Sequence, residues 1–340
     1  MKRTVAGLVI LLLVLLLPLA VQNEFYQRIG ALVLLAAISA SAWNLIGGYA
    51  GQVSVGHAVY FGMGAYSALL VYTRLGWPPI AGAPLGVAVS LLLAALIGTP
   101  TFRLRGHYFS MATIAAAELI RILVSNWELL GAAVGLMGPA MPRSVADLSF
   151  TTPLPYYYLF AGVLAVLLGL TWWMQRSRMG YWLRAINGGD RAARSLGVPV
   201  LRYKLYALLL SAGFTALAGT LYAVMIGFAD PESVLGILVS VKMLIMAALG
   251  GAGTLFGPLL GAAILVPLEE ATNAIFGGSG TGITYVIYGA IILLIARFQP
   301  EGLLALPARL RAWRGRRRAR AADAARPLPS ATAAPDAENA

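Results

Sequence analysis

Apolar residues fill long continuous blocks along this chain, broken by short polar stretches and by clusters of arginine. A bilayer core of about 30 Å needs roughly 20 apolar residues in helical form. Ten blocks reach or approach that length: 5–21, 29–46, 58–73, 80–98, 106–127, 156–174, 204–226, 236–250, 258–276 and 281–297. They are continuous rather than alternating in polarity, which argues against a transmembrane β-barrel. The pattern predicts an all-α polytopic membrane protein of about ten transmembrane helices, with eight to ten compatible with the shorter, glycine-rich blocks. The first block, after Met1-Lys2-Arg3, resembles a secretory signal, but a cut after Ala20 would put Pro18 where a small residue is wanted. A retained first helix is the expectation.

The positions of the charges orient the helices. With the N-terminus in the cytoplasm, 20 of the 25 Lys and Arg residues fall on inside segments and only Arg28, Arg74 and Arg143 fall outside. That is the positive-inside pattern, with both termini cytoplasmic. Residues 1–303 then form a transmembrane domain with an outward-facing loop at 128–155 and a cytoplasmic loop at 175–203. Residues 304–340 form a tail rich first in Arg and then in Ala and Pro, expected to be disordered and to meet lipid headgroups through its arginines.

The inside loop has structure of its own. "MGYWLRAINGGDRAARSLGVPV" predicts a short helix near 181–187 stopped by Gly188 and Gly189. Asp190 is expected to N-cap a second helix, 191–196, with Gly197 at its C-cap and Pro199 just beyond. Two short helices around a Gly-Gly break, with a mixed apolar and arginine surface, have the form of a docking element.

Composition removes several function classes. The chain has no cysteine, which excludes disulfides, zinc thiolates and cysteine nucleophiles, and two histidines, His57 and His107, are a poor basis for a metal site. No metal or cofactor is expected. The net charge of +12 sits in loops and tail, so it reads as topology rather than as nucleic-acid binding. A P-loop needs Gly-Lys-Ser/Thr, whereas Lys2, Lys204 and Lys242 are followed by Arg, Leu and Met. Any ATP use therefore resides in a partner.

The candidate pathway residues are the polar ones inside the spans. Ionisable groups there cost about 3 kcal/mol each on insertion scales, so they should face protein or water. His107, Glu118, Arg121 and Ser125 recur at helical spacing, and Glu118 and Arg121, three apart, can pair. Lys242 either snorkels or meets a carboxylate such as Glu269 or Glu270. "NLIGGYAGQVSVGHAVYFGMGAY" (44–66) interrupts an apolar run with glycines and with Gln52, Ser54 and His57. Broken backbone at membrane depth survives only when buried in protein or lining a cavity, so these three side chains either satisfy the bend or line a passage. "GGAG" at 250–253 echoes "GGYAG" at 47–51.

Five segments together resemble the LivM-type permease subunits of branched-chain amino acid ABC importers: "GGYAGQVSVGHAVYFGMGAY", "LRGHYFSMATIAAAELIRILVSNW", "GYWLRAINGGDRAARSLGVPVLRYKL", "LGGAGTLFGPLLGA" and "RFQPEGL". The resemblance covers about 30–303 and departs from many relatives at 131–142. It implies a bacterial inner-membrane permease that does no covalent chemistry. Its implied partners are a homologous LivH-type permease, two cytoplasmic P-loop ATPase subunits and a periplasmic substrate-binding protein. It further implies that Arg184, Ala185, Gly188, Gly189, Asp190, Arg191, Arg194 and Gly197 form the segment that couples to the ATPase. Gln52, Ser54, His57, Glu118 and Arg121 remain the candidate pathway lining. Members of this class also serve urea, amides and other amino acids. The rivals are an ion-gradient-driven secondary transporter, with Glu118 and Arg121 as its coupling site, and a lipid-directed membrane enzyme, for which no clustered acid–base set is present.

Overall fold

A computed structural model of the chain describes residues 18, 23–104, 106–138, 148, 150–276, 286, 289–290 and 302–305. The expected spans 5–21 and 281–297 and the tail 304–340 lie, but for a few residues, outside the described residues, as does part of the loop 128–155. The described chain is almost wholly helical. In order it forms α1 (Glu24–Asn44), continued by a π-helical turn (Leu45–Tyr49), α2 (Ala58–Leu75), α3 (Ala83–Thr101) and α4 (His107–Ser125). There follow α5 (Pro153–Arg176), α6 (Arg178–Gly188), α7 (Asp190–Ser195), α8 (Val200–Ile226), α9 (Pro231–Leu235), α10 (Ile237–Gly250) and α11 (Gly257–Phe276). Among the described residues six helical segments are long and apolar enough to cross a membrane: Glu24–Tyr49, Pro79–Thr101, His107–Ser125, Pro153–Arg176, Val200–Ile226 and Pro231–Gly250.

Helix α1 is the centre of the bundle. It packs against α5, α11, α8 and α10, and Leu34 and Ile38 along it, with Leu45 and Ile46 in the π-helical turn that continues it, are enclosed. Its start is set by Asn23, whose side chain accepts the Phe25 N–H, the usual N-cap device.

Helices α2 and α8 cross closely because small residues face each other. A Cβ on Gly64 would overlap the Ala216 carbonyl oxygen, and one on Gly219 would overlap that of Phe61. The Thr220 hydroxyl donates to the Gly64 carbonyl at 3.0 Å. Lipid tails are as apolar as side chains, so membrane helices associate through this kind of close packing and interhelical hydrogen bonding.

Among the described residues one short ladder interrupts the all-helical pattern. Leu136–Met137 (β1) pairs antiparallel with Phe228–Ala229 (β2), and the Gly138 N–H donates to the Gly227 carbonyl at 2.7 Å. This pins the loop after α4 onto the link between α8 and α9.

Candidate functional site: an unwound glycine segment wired to a helical hairpin

Glycines 47, 48 and 51 were expected to break the backbone, and they do so in two steps. The end of α1 widens into the π-helical turn Leu45–Tyr49, and residues 51–56 then run without helical structure to the start of α2. An extended backbone at this depth must have its polar groups satisfied by protein. Side chains from several helices do that. The Trp43 indole N–H donates to the Ser54 carbonyl at 2.7 Å. From α4, the Ser110 hydroxyl donates to the Val53 carbonyl at 2.6 Å, and Thr113 Oγ1 accepts the Val55 N–H at 3.1 Å. From α10, Ser240 Oγ accepts the Ala58 N–H at 2.7 Å.

His57 closes the same arrangement, and its proton positions follow from its partners. Ser211 Oγ donates to the Ala42 carbonyl at 2.6 Å, which uses its one proton. The contact of 2.8 Å between Ser211 Oγ and His57 Nε2 therefore has the histidine as donor. Nδ1 is then an acceptor for the Ser54 hydroxyl at 3.1 Å, while Ser54 Oγ accepts the Gly56 N–H at 3.4 Å. The ring is fully enclosed. In this conformation Ser54 and His57 hold the bend rather than face open space. Replacing His57 with alanine should destabilise the protein by roughly 2 kcal/mol, at about 1 kcal/mol for each of two lost hydrogen bonds. Glutamine, which keeps an amide donor, should cost less. The unfolding midpoint of the purified protein in detergent checks this; an unchanged midpoint with lost transport would instead assign His57 to the passage.

Gln52 lies apart from that pair. It borders a cavity of about 590 Å³ together with Gly51, Leu104, Asn187, Asp190 and Lys204. Glu118 and Arg121 lie further along α4, where Arg121 donates to Glu118 at 2.5 Å and to Glu232 of α9 at 3.0 Å. The five candidate pathway residues thus fall into three places: a buried pair, a cavity edge and a partly exposed ion cluster. The face of α4 that packs inward carries Phe109, Thr113, Ala117 and Val124, whereas His107 is exposed.

The loop 175–203 forms the expected pair of helices. α6 buries Gly180, Leu183 and Ile186 and α7 buries Ala193, while Tyr181, Arg191, Arg194 and Leu196 point outward. Gly188 and Gly197 are exposed and Ala185 is half-buried. Gly189 makes the break, with φ at 149°, a conformation that disfavours any side chain. Asp190 differs from the N-cap expected of it. It is the first residue of α7, and its carboxylate takes the Lys204 ammonium at 2.6 Å instead. Lys204 is 2% exposed, and a buried cation demands such a partner. Arg184 stays exposed but donates to the Gly180 carbonyl at 3.1 Å and the Gln175 carbonyl at 2.8 Å, so it fixes the corner between α5 and α6.

The hairpin also reaches the glycine segment directly. Asn187 Nδ2 donates to the Gly48 carbonyl at 3.0 Å, and Gln175 donates to the Tyr49 hydroxyl. Asn44 bridges from the other side, accepting the Gly253 N–H at 2.8 Å and donating to the Thr254 carbonyl at 2.9 Å. The echo segments 47–51 and 250–253 are therefore packed on one another, with Gly48 against Gly253 so closely that a Cβ on Gly48 would overlap the Gly253 nitrogen. Asn44, Asn187, Thr113, Ser211 and Ser240 were not singled out from the sequence. Nothing in the local pattern marks any of them, and only its tertiary partner gives it meaning.

Comparison with known proteins places this arrangement. The profile of the family described as branched-chain amino acid transport system / permease component matches residues 26–296. The high-affinity branched-chain amino acid transport system permease protein LivM of Escherichia coli is 31% identical over 86% of this chain and 74% of its own length. LivM of Salmonella typhimurium is also 31% identical, over 77% of this chain, and the match spans 65% of that protein's length. The permease protein BraD of Pseudomonas aeruginosa is 24% identical over 80% of this chain and 92% of its own length. With several apolar helices of membrane-crossing length and a family match over most of its residues, the chain is a multi-pass membrane protein that belongs to the branched-chain amino acid transport system permease family.

Proposed function

We propose that this chain is the membrane-spanning subunit of an ATP-driven importer for branched-chain or related hydrophobic amino acids, in the inner membrane of a bacterium. It crosses the membrane ten times with both ends in the cytoplasm. Residues 1–303 form the permease domain and 304–340 a basic cytoplasmic tail. Its partners are a homologous second permease, two P-loop ATPase subunits and a periplasmic binding protein. The names of the relatives support the solute class, and the lack of a P-loop in this chain supports a separate ATPase.

The observation that carries the mechanism is the hairpin α6–α7. Its outer surface offers Tyr181, Arg191, Arg194 and Leu196 to a docking partner. Its inner surface is tied to α8 by Asp190–Lys204 and to the glycine segment by Asn187–Gly48. A displacement of the docked ATPase is thereby delivered to the two helices, α1 and α8, that frame the unwound segment. The subunit moves solute by conformational change and performs no bond chemistry.

Reversing the two exposed charges with R191E/R194E is expected to reduce co-purification of the ATPase at least tenfold while the chain still inserts and elutes as a folded protein. Rim charges act mainly through steering and repulsion, and among the described residues neither arginine forms an ion pair that the change would break. Undiminished co-purification would remove α6–α7 as the docking element.

A further inference from the structure

Charged residues inside membrane helices are costly, and their partners show what they are for. α10 and α11 carry such a set away from the hairpin and the glycine segment. Lys242 lies more than one turn inside α10, and Glu269 lies two turns before the end of α11; the two are paired at 2.5 Å. Neutralisation of one lysine by one carboxylate accounts for that pair alone. It does not account for Glu270 and Arg28, which border the same hollow. The hollow has a volume of about 350 Å³, within the range of about 300–1,000 Å³ usual for small-molecule sites.

The lining carries two cationic and two anionic side chains, Arg28, Lys242, Glu269 and Glu270, which sum to zero. The rest of it is largely apolar and includes Phe61, Met243 and Met246. A solute with a single net charge would unbalance the four charged groups. A zwitterion does not: its carboxylate and ammonium exchange for the Lys242–Glu269 contact with no change in total charge. Methionine is unbranched and adapts to irregular shapes, so Met243 and Met246 suit aliphatic side chains that differ by a branch or a methylene.

We propose that this cavity, bordered by α1, α10 and α11 and closed by residues of α2, α8 and α9, is an amino-acid site within the single subunit. It takes a zwitterionic α-amino acid with an apolar side chain, holding the carboxylate at Lys242 and Arg28 and the ammonium at Glu269 and Glu270. The cavity lies toward the end of the bundle where α1 begins and α11 ends, which the arginine pattern places outward. It is therefore the first station of the solute after release from the binding protein. This assignment rests on the reading of the chain as an amino-acid permease.

The test is direct binding of labelled leucine to the purified, nucleotide-free permease–ATPase complex in detergent with no binding protein present. The expected result is saturable binding, with leucinamide (no carboxylate) and N-acetyl-leucine (no ammonium) each competing at least tenfold more weakly than leucine. K242M/E269Q, which removes both charges together, is expected to weaken binding at least tenfold while the subunits still co-elute. If that variant fails to assemble, Glu270→Gln serves, with a severalfold loss of affinity expected. The site is overturned if a complex that imports leucine shows no saturable binding, or if the assembled variant binds like the wild type. A complex that imports no amino acid at all overturns the transport reading instead.

Discussion

Gly219→Val is expected to leave almost no folded protein in the membrane. Gly219 lies on α8 where its α-carbon faces the Phe61 carbonyl, and even one added carbon would overlap that oxygen. Across the same crossing Gly64 faces the Ala216 carbonyl, so the two helices interlock through reciprocal small residues. The obstacle is backbone on both sides, and a rotamer change cannot relieve it. Overpacking of well-packed interiors costs about 1–3 kcal/mol and occasionally more, and here the helices must separate, which also breaks the Thr220–Gly64 hydrogen bond. Gly162→Ala on α5 is the matched control. Nothing lies within 4 Å of the added carbon there, and relief of glycine's flexibility should stabilise by about 0.4–1 kcal/mol. The monodisperse fraction on size exclusion in detergent separates the two. Equal recovery of G219V and wild type would mean that α2 and α8 are not in this contact.

Lys204→Met should lose transport, and the stability of the protein should fall with it. Lys204 is enclosed, whereas the Asp190 side chain is 20% exposed. Removing one member of a buried ion pair costs about 3–5 kcal/mol because the other charge is stranded, and the partial exposure of Asp190 puts the loss at the lower end. The double variant K204M/D190N distinguishes stability from transmission. It strands no charge, and replacing both partners of a buried pair is often close to neutral. Its unfolding midpoint should return toward wild type. Its uptake should not, because the tie between the hairpin and α8 is still missing, and ATP hydrolysis should continue without matching import. Full recovery of uptake in the double variant would reduce the pair to a structural prop.

How much of this was legible in the sequence follows from the range of each interaction. Apolar blocks were read directly: eight of the ten expected spans coincide with described helices, and six of those are long and apolar enough to cross a membrane. The hairpin was legible because its signals are local: Gly188-Gly189 between two short amphipathic stretches. The pair Glu118–Arg121 was legible from its spacing of three, but Glu232 was not, since it comes from another helix. Lys242 had two possible fates in sequence, and only the packing of α10 against α11 selects Glu269.

Asp190 shows the limit most plainly. Local rules made it an N-cap, but a buried ammonium 14 residues away makes the stronger demand. The glycine segment was recognised as a break that needs protein around it. Which groups satisfy it depends on Trp43, Ser110, Thr113, Ser211 and Ser240, which tertiary packing brings together from four helices. In sequence each of them is an ordinary residue in an apolar run.

In the proposed mechanism this chain carries solute only when an ATPase drives it through α6–α7. Uptake of labelled leucine into proteoliposomes tests this, with the second permease and ATPase subunits incorporated, the binding protein outside and ATP inside. The expected result is accumulation that requires internal ATP and every subunit, and that R191E/R194E abolishes. Accumulation by this chain alone, driven by an ion gradient without ATP, would contradict it.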